Sequence, residues 1–380
     1  MVYLTKITPD RHHQMSFEEF LDPTSNVGSS WYNTKSSTTT YVINENREKY
    51  ISAVKPKLEM WVSLFGSFVS NYKKLYDIDR KELYYTFHIP KKSGGLRRID
   101  APNSELMTAL RDLKCILENS FGVLHHTAAF AYVKKRNTVE AVKKHQQNQS
   151  KWFAKFDLSD FFGSHTVDYM MKMLSKIYPF SELIRYGYSD NLKKALELGF
   201  LNGGLPQGTP LSPLLTNLLM IPIDYTISKK LRETGRNFVY TRYADDFLIS
   251  SSAYFNYKEI EEMIIETLQD FEAPFSLNKK KTRYGSSKGS NWNLGVMLND
   301  NNEITIGHKK KKQFEAMLFN YSMDRKNNKP WELNDIQVLE GYRNYYRMIE
   351  PEVIDKIVQH MSNKLGTDIV SNIKEDLRGD

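Results

Sequence analysis

The chain has 380 residues, 40% of them apolar and 26% charged, ordinary proportions for a globular protein with room for two or three domains. A single cysteine, Cys115, excludes a disulfide framework and a cysteine-built zinc site, and fits a reducing cytoplasm. The net charge of +8 is not spread evenly: residues 51–150 carry 17 basic and 9 acidic side chains, whereas 1–50, 151–300 and 301–380 have excesses of −1, +1 and 0. Positive charge concentrated in one stretch points to a polyanionic partner such as nucleic acid or nucleotide phosphates. The N-terminus "MVYLTKITPDRHHQM" lacks an apolar signal core, and no run of about 18 apolar residues occurs, so a cytoplasmic protein without a membrane partner is expected.

Residues 1–50 are polar and Ser/Thr-rich and read as an irregular N-terminal extension. Leu58, Trp61, Val62, Phe65, Phe68 and Val69 then recur at three- and four-residue spacing, which predicts a helix. "YYTFHIPKKSGGLRRIDAP" predicts a hairpin around Gly94–Gly95, and "SELMTALRDLKCILENSF" a helix with Ser104 and Met107 in its first turn. "KWFAKFDLSDFF" reads as one strand, the stretch from "VDYMMKML" to Leu201 as helical, and "GGLPQGTPLSPLLTNLLMIPIDYTISKKL" as a turn opening into one long helix. "NFVYTRYADDFLISSS" reads as two strands around a tight turn, "KEIEEMIIETLQDF" as a helix, and "NWNLGVMLNDNNEITI" as a hairpin turning at Asn299–Asn302. Helices are expected after the lysine run at 309–312. This order is that of an α+β fold with a split βαβ core. No G-x-G-x-x-G or G-x-x-x-x-G-K-[ST] phosphate loop is present.

Asp245 and Asp246 stand side by side between apolar, strand-forming flanks. Adjacent like charges repel and buried carboxylates are costly, so either this is an exposed turn or a cation resides there. With Asp157 and Asp245 on adjacent strands, these two acids could jointly hold two Mg²⁺ ions roughly 3.5–4 Å apart, the geometry of in-line phosphoryl transfer. Hard carboxylate oxygens suit Mg²⁺. On this reading the metals, not a side-chain partner, neutralise the pair.

"FDLSDFF", "LPQGTPLSPLLTN" and "YADD", in that order, resemble the reverse transcriptase family, and the resemblance spans roughly residues 87–354. It implies a right-hand polymerase, with fingers and a ferredoxin-like split βαβ palm over 51–306 and a helical thumb over 307–380. It implies an RNA-directed DNA polymerase that joins a primer 3′-OH to dNTPs on an RNA template, with two Mg²⁺ ions for which Mn²⁺ could substitute. Asp157 and Asp245 match the principal metal ligands and Asp246 the weaker third, with Leu158 in the metal set. Phe162 matches the aromatic gate that excludes a ribose 2′-OH. Core packing is the other reading of Phe162, because on a strand only one of Phe161 and Phe162 can face the site. Gln207 and Gly208 match the nucleotide-side turn, with Gly203 and Gly204 allowing close backbone approach. Arg97, then Arg98, with Lys91 or Lys92, match the residues that grip the triphosphate; Lys281 matches a lysine that assists pyrophosphate departure. Lys134, Lys135 and Arg136 fall near template or triphosphate, or on a solvated helical face. Lys309, Lys310, Lys311 and Lys312 fall on the product duplex, or on a solvated helix start.

An end near residue 380 leaves no room for connection, ribonuclease H or endonuclease domains, which points to the compact retron and group II intron lineage of bacteria. Retron enzymes show "NAxxH" and "VTG" where this chain has "EAVKKH" and "NLGVML". A defence-associated relative is therefore expected, copying a structured non-coding RNA into DNA, with an effector protein or a homo-oligomer as further partners. Two other readings stay open: an untemplated or protein-primed DNA polymerase, and an RNA-binding scaffold without essential catalysis. An RNA polymerase is disfavoured by Phe162.

Overall fold

The computed structural model describes residues 55–90, 94–286, 292 and 295–378. The expected N-terminal extension and the Lys-rich tip of the first hairpin, with Lys91 and Lys92, lie outside the described residues. The described residues form two compact units, each discontinuous in sequence: one of those up to 132 with 158–230 and 261–278, the other of 133–157, 231–260 and those from 279 on.

In the first unit, residues 55–71 are helical and bury Leu58, Trp61, Phe65 and Phe68, as their spacing requires. Trp61 and Phe65 pack on Phe121, which stacks on Phe180. Strands β1 (Tyr84–Pro90) and β2 (Leu96–Pro102) form the expected hairpin, from Tyr84 opposite Pro102 to Pro90 opposite Leu96. The following helix, Ser104–Ser120, is capped by Asn103, whose side chain accepts from the Leu106 amide at 2.9 Å. One expectation holds in pieces and a second fails. The stretch to Leu201 is three short helices, Val167–Leu174, Phe180–Arg185 and Asp190–Glu197, interrupted at Pro179 and Gly187. The long apolar helix breaks at Met220 into Ser212–Leu219 and Ile221–Glu233. Pro222 lacks the amide proton and crowds the carbonyl four residues back, so one helix cannot run through.

The second unit holds an antiparallel sheet in which β5 (Asp246–Ser251) lies between β4 (Phe238–Tyr243) and β3 (Trp152–Ser159). Strand β7 (Arg283–Ser286) pairs with the opposite edge of β3. The last two residues of β3, Leu158 and Ser159, belong to the first unit and pair with β6 (Ser276–Leu277). The order β4–β5–β3–β6 is that of the split βαβ core that the element order predicted. Strand β3 ends sooner than expected, at Ser159; Asp160–Ser164 is a turn, and Asp160 has φ 48. A small hairpin, β8 (Met297–Leu298) and β9 (Ile304–Thr305), turns over 299–302 as predicted. Four helices, His308–Lys326, Leu333–Ile349, Pro351–Leu365 and Ile369–Arg378, share a core that includes Phe314, Leu318, Leu339, Ile354 and Ile373. Phe153, Leu248 and Trp292 belong to the same cluster. Among the described residues no helix is long and apolar enough to cross a membrane.

Candidate active site

The register of β3 on β5 decides where the acids fall. Phe156 opposes Phe247, both fully buried, so the next pair, Asp157 opposite Asp246, points to the other face of the sheet. Tyr243 pairs with Asp246, which leaves Ala244 and Asp245 as the two-residue turn. Such turns need a left-handed residue, and Ala244 supplies it at φ 56 without the freedom of glycine. The strain is held by Arg242, which is fully buried and donates from Nη1 to the Ala244 carbonyl at 3.0 Å.

Two lysines meet the acids. Lys155 shares the face of Asp157 two residues on, and its Nζ lies 2.8 Å from Asp246 Oδ2. Lys281 reaches across from the turn before β7 and donates to both oxygens of Asp157, at 2.9 and 3.1 Å. The expectation that no side-chain partner neutralises the acids is thus corrected. The period of two along β3 puts an ammonium beside the carboxylates, and β7 brings a second.

The charge balance remains negative. Burial, then the neighbouring Asp246 and Asp157, push the Asp245 carboxyl up to about 6. Burial also raises Asp246, against the pull of Lys155. The Lys281 ammonium is raised by its bond to Asp157. Among the described residues no three Asp, Glu, His or Cys side chains are grouped as a ready metal cluster. The donor set nevertheless fits a hard divalent cation: three carboxylates, one of them costly to ionise, with two tied up by single-charged ammonium groups.

Behind the acids, fully buried His145 joins the two strands of the turn. Its Nδ1 lies 2.5 Å from Ser250 Oγ on β5 and its Nε2 2.8 Å from Thr241 Oγ1 on β4. Burial, then the Lys144 charge, pushes the imidazole down to about 3, so it is neutral at every physiological pH. His145→Leu is expected to cost roughly 2–3 kcal/mol in urea unfolding, because both hydroxyls lose this partner. The unfolded histidine titrates near 6.5 and the folded one near 3, so wild-type stability falls as the pH drops below 6.5. The leucine variant should lose less over that window.

In the first unit, Phe161 and Phe162 stand beyond the end of β3, so strand alternation does not separate them; the turn does. Phe161 is buried against His165 and Phe275, while Phe162 is half-buried and edge-on to exposed Tyr132 at 6.5 Å. The Leu205 amide donates to the Phe162 carbonyl at 2.9 Å, and the Asp100 amide to the Gln207 carbonyl at 2.8 Å. The "LPQG" stretch is thereby tied both to the Phe162 turn and to β2. Gly208 has φ 119, and a Cβ there would lie 3.0 Å from the Asp100 carbonyl oxygen. Arg98 bonds Asp100 at 2.9 Å, and Arg97 is exposed on the same strand.

The other basic candidates divide. Lys134 and Lys135 are exposed, and Arg136 is half-buried. Lys310 donates to the Gly295 carbonyl at 2.9 Å and Lys311 pairs with Glu350 at 2.7 Å, both structural links. Lys309 and Lys312 are exposed, Lys312 beside Glu315. Lys155, Arg242 and His145 were not singled out as site residues from the sequence. A lysine two places before a strand aspartate, and an arginine inside an apolar strand, were the available signals.

The family model for reverse transcriptase (RNA-dependent DNA polymerase) matches residues 89–315, more than half of the chain. The retron Ec83 reverse transcriptase of Escherichia coli is 28% identical over 306 residues, covering 78% of this chain and 91% of that protein. The retron Ec73 enzyme of the same species is also 28% identical, covering 73% and 90%. The retron Mx65 enzyme of Myxococcus xanthus is 25% identical, covering 74% and 65%. The similarity thus runs to the retron branch despite the "EAVKKH" and "NLGVML" departures. Three acids set on one β-hairpin and its neighbouring strand, within a family match of this extent, identify the chain as a member of the reverse transcriptase family, an RNA-directed DNA polymerase.

Proposed function

We propose that the protein extends a primer 3′-OH with dNTPs along a dedicated non-coding RNA template, by two-metal phosphoryl transfer at Asp157, Asp245 and Asp246. The observation that carries this reading is the pairing of Asp157 with Asp246 across β3 and β5, with Asp245 in the adjoining turn. Mg²⁺ bound there would activate the attacking hydroxyl and stabilise the leaving pyrophosphate oxygens. Arg242 and His145 keep the acid turn fixed, so its carboxylates need no rearrangement during the reaction. In this reading Asp157 and Asp245 are the principal ligands, with Leu158 beside them, and Asp246, one oxygen of which is held by Lys155, is the weaker third. In this reading 51–306 serve as fingers and palm and 307–380 as thumb. By the resemblance, Arg97, Arg98, Gln207 and Gly208 match residues that contact the nucleotide, and Lys134, Lys135, Lys309 and Lys312, all exposed, match residues that contact RNA or the product duplex.

Primer extension on a defined RNA template with Mg²⁺, comparing dNTPs with NTPs, tests the reading; product that ignores the template sequence would sink it. Phe162 is the ribose gate in this proposal, so Phe162→Ala should raise NTP incorporation relative to dNTP by roughly 10–100-fold, the discrimination that pocket contacts typically give. Phe161→Ala should instead cost roughly 3–5 kcal/mol of stability and leave the ratio unchanged. The place of this activity in bacterial anti-phage defence rests on the family resemblance. Phage plating on cells carrying wild type or Asp157→Asn tests it, and equal plating would refute it.

A further inference from the structure

Lys155 and Lys281 hold their carboxylates differently. Lys155 is on a strand, its side chain 18% exposed, and it takes one oxygen of Asp246. Lys281 ends a short 3-10 turn, Lys279–Lys281, its side chain 60% exposed, and it takes both oxygens of Asp157. A metal ion needs those oxygens. A divalent ion carries twice the charge of an ammonium, and although the Asp157 side chain is 13% exposed, the ammonium that faces it stays largely in solvent, which weakens the pair.

We propose that Lys281 is a displaceable counter-ion: it occupies Asp157 until a divalent cation binds, then swings free and presents its ammonium to the nucleotide phosphates. Lys155, shielded and bound to Asp246, stays. The exchange rests on the functional reading above and adds an order to it, because Lys281 is released for phosphate only once metal is present. It also means that Lys281 opposes metal binding before nucleotide arrives.

The experiment titrates metal-free protein with Mn²⁺ and no nucleotide, following free Mn²⁺ by electron paramagnetic resonance. Lys281→Met should bind Mn²⁺ roughly two- to fivefold more tightly than wild type, at least the range that an ion pair with an exposed ammonium sets. Lys193→Met, which removes a surface pair with Asp168 in the other unit, should not change the affinity. In parallel, amine labelling of wild type read by mass spectrometry should rise at Lys281 when Mn²⁺ is added. In Asp157→Asn it should start high and stay there. Unchanged or weaker Mn²⁺ binding in Lys281→Met, or labelling indifferent to metal, would overturn the exchange while leaving the polymerase reading intact. Metal-linked labelling without any primer extension would do the reverse.

Discussion

Asp245→Asn is expected to reduce dNTP addition by roughly a thousandfold while making the metal-free protein more stable. On the proposed two-metal reading Asp245 is a ligand, and losing one removes several kcal/mol of transition-state stabilisation; about 4 kcal/mol is roughly three powers of ten. The stability gain has the opposite origin. Asp245 ionises near 3.8 when unfolded but near 6 when folded, because it is buried beside two other acids. Its charge therefore costs nothing below pH 3.8, and the full amount above about 6. Asparagine removes that cost, so melts in chelator at pH 7.5 should favour the variant by roughly 2–3 kcal/mol, with the gap closing towards pH 4. Added Mg²⁺ should raise the melting temperature of wild type more than that of the variant. A variant that is both inactive and less stable at pH 7.5 would mean that Asp245 is a structural residue.

The second large effect is expected from a single methyl group. A Cβ at position 204 would lie 2.2 Å from the carbonyl oxygen of Gly163 and 2.7 Å from its carbon. Both are backbone atoms that no rotamer change can move, so Gly204→Ala must push the "LPQG" segment away from the Phe162 turn. Overpacking of this kind costs roughly 1–3 kcal/mol, and if this turn lies at the nucleotide as proposed, a displacement near 1 Å costs on the order of a hundredfold in rate. Gly203 is the contrast: a Cβ there would meet nothing within 4 Å, and only its φ of +79 resists substitution. Gly203→Ala should lose roughly 1–2 kcal/mol of stability and keep its discrimination between dNTPs and NTPs. Gly204→Ala should lose both activity and discrimination. Equal behaviour of the two alanine variants would show that the close approach at Gly163 does not set the gate.

What could be read from the sequence shares one property: it depends on neighbours along the chain. The acid turn was legible because Ala244–Asp245 sits between two apolar strand patterns, and a two-residue turn fixes which residue pairs with which. The first hairpin was legible from its Gly94–Gly95 turn signal and the buried stripe from Leu58 to Phe68 from a period near 3.6, while helices after the lysine run were expected without their number. Pro222 was a break signal in plain view, outweighed by the apolar run around it. Tertiary structure alone decided the rest. The Lys281 bond to Asp157 joins residues 124 apart, and the His145 bonds span 105 and 96 residues. Sequence periodicity carries no information at those separations. The fates of Lys309–Lys312 were equally closed to the sequence. Four identical side chains differ in which partner the packing brings from a distant part of the chain, Glu350 for Lys311 and Gly295 for Lys310, whereas Lys312 meets only Glu315 one turn on. The acids and their order along the chain were thus set by local sequence, whereas their counter-ions were set by which strands and turns the fold brings alongside.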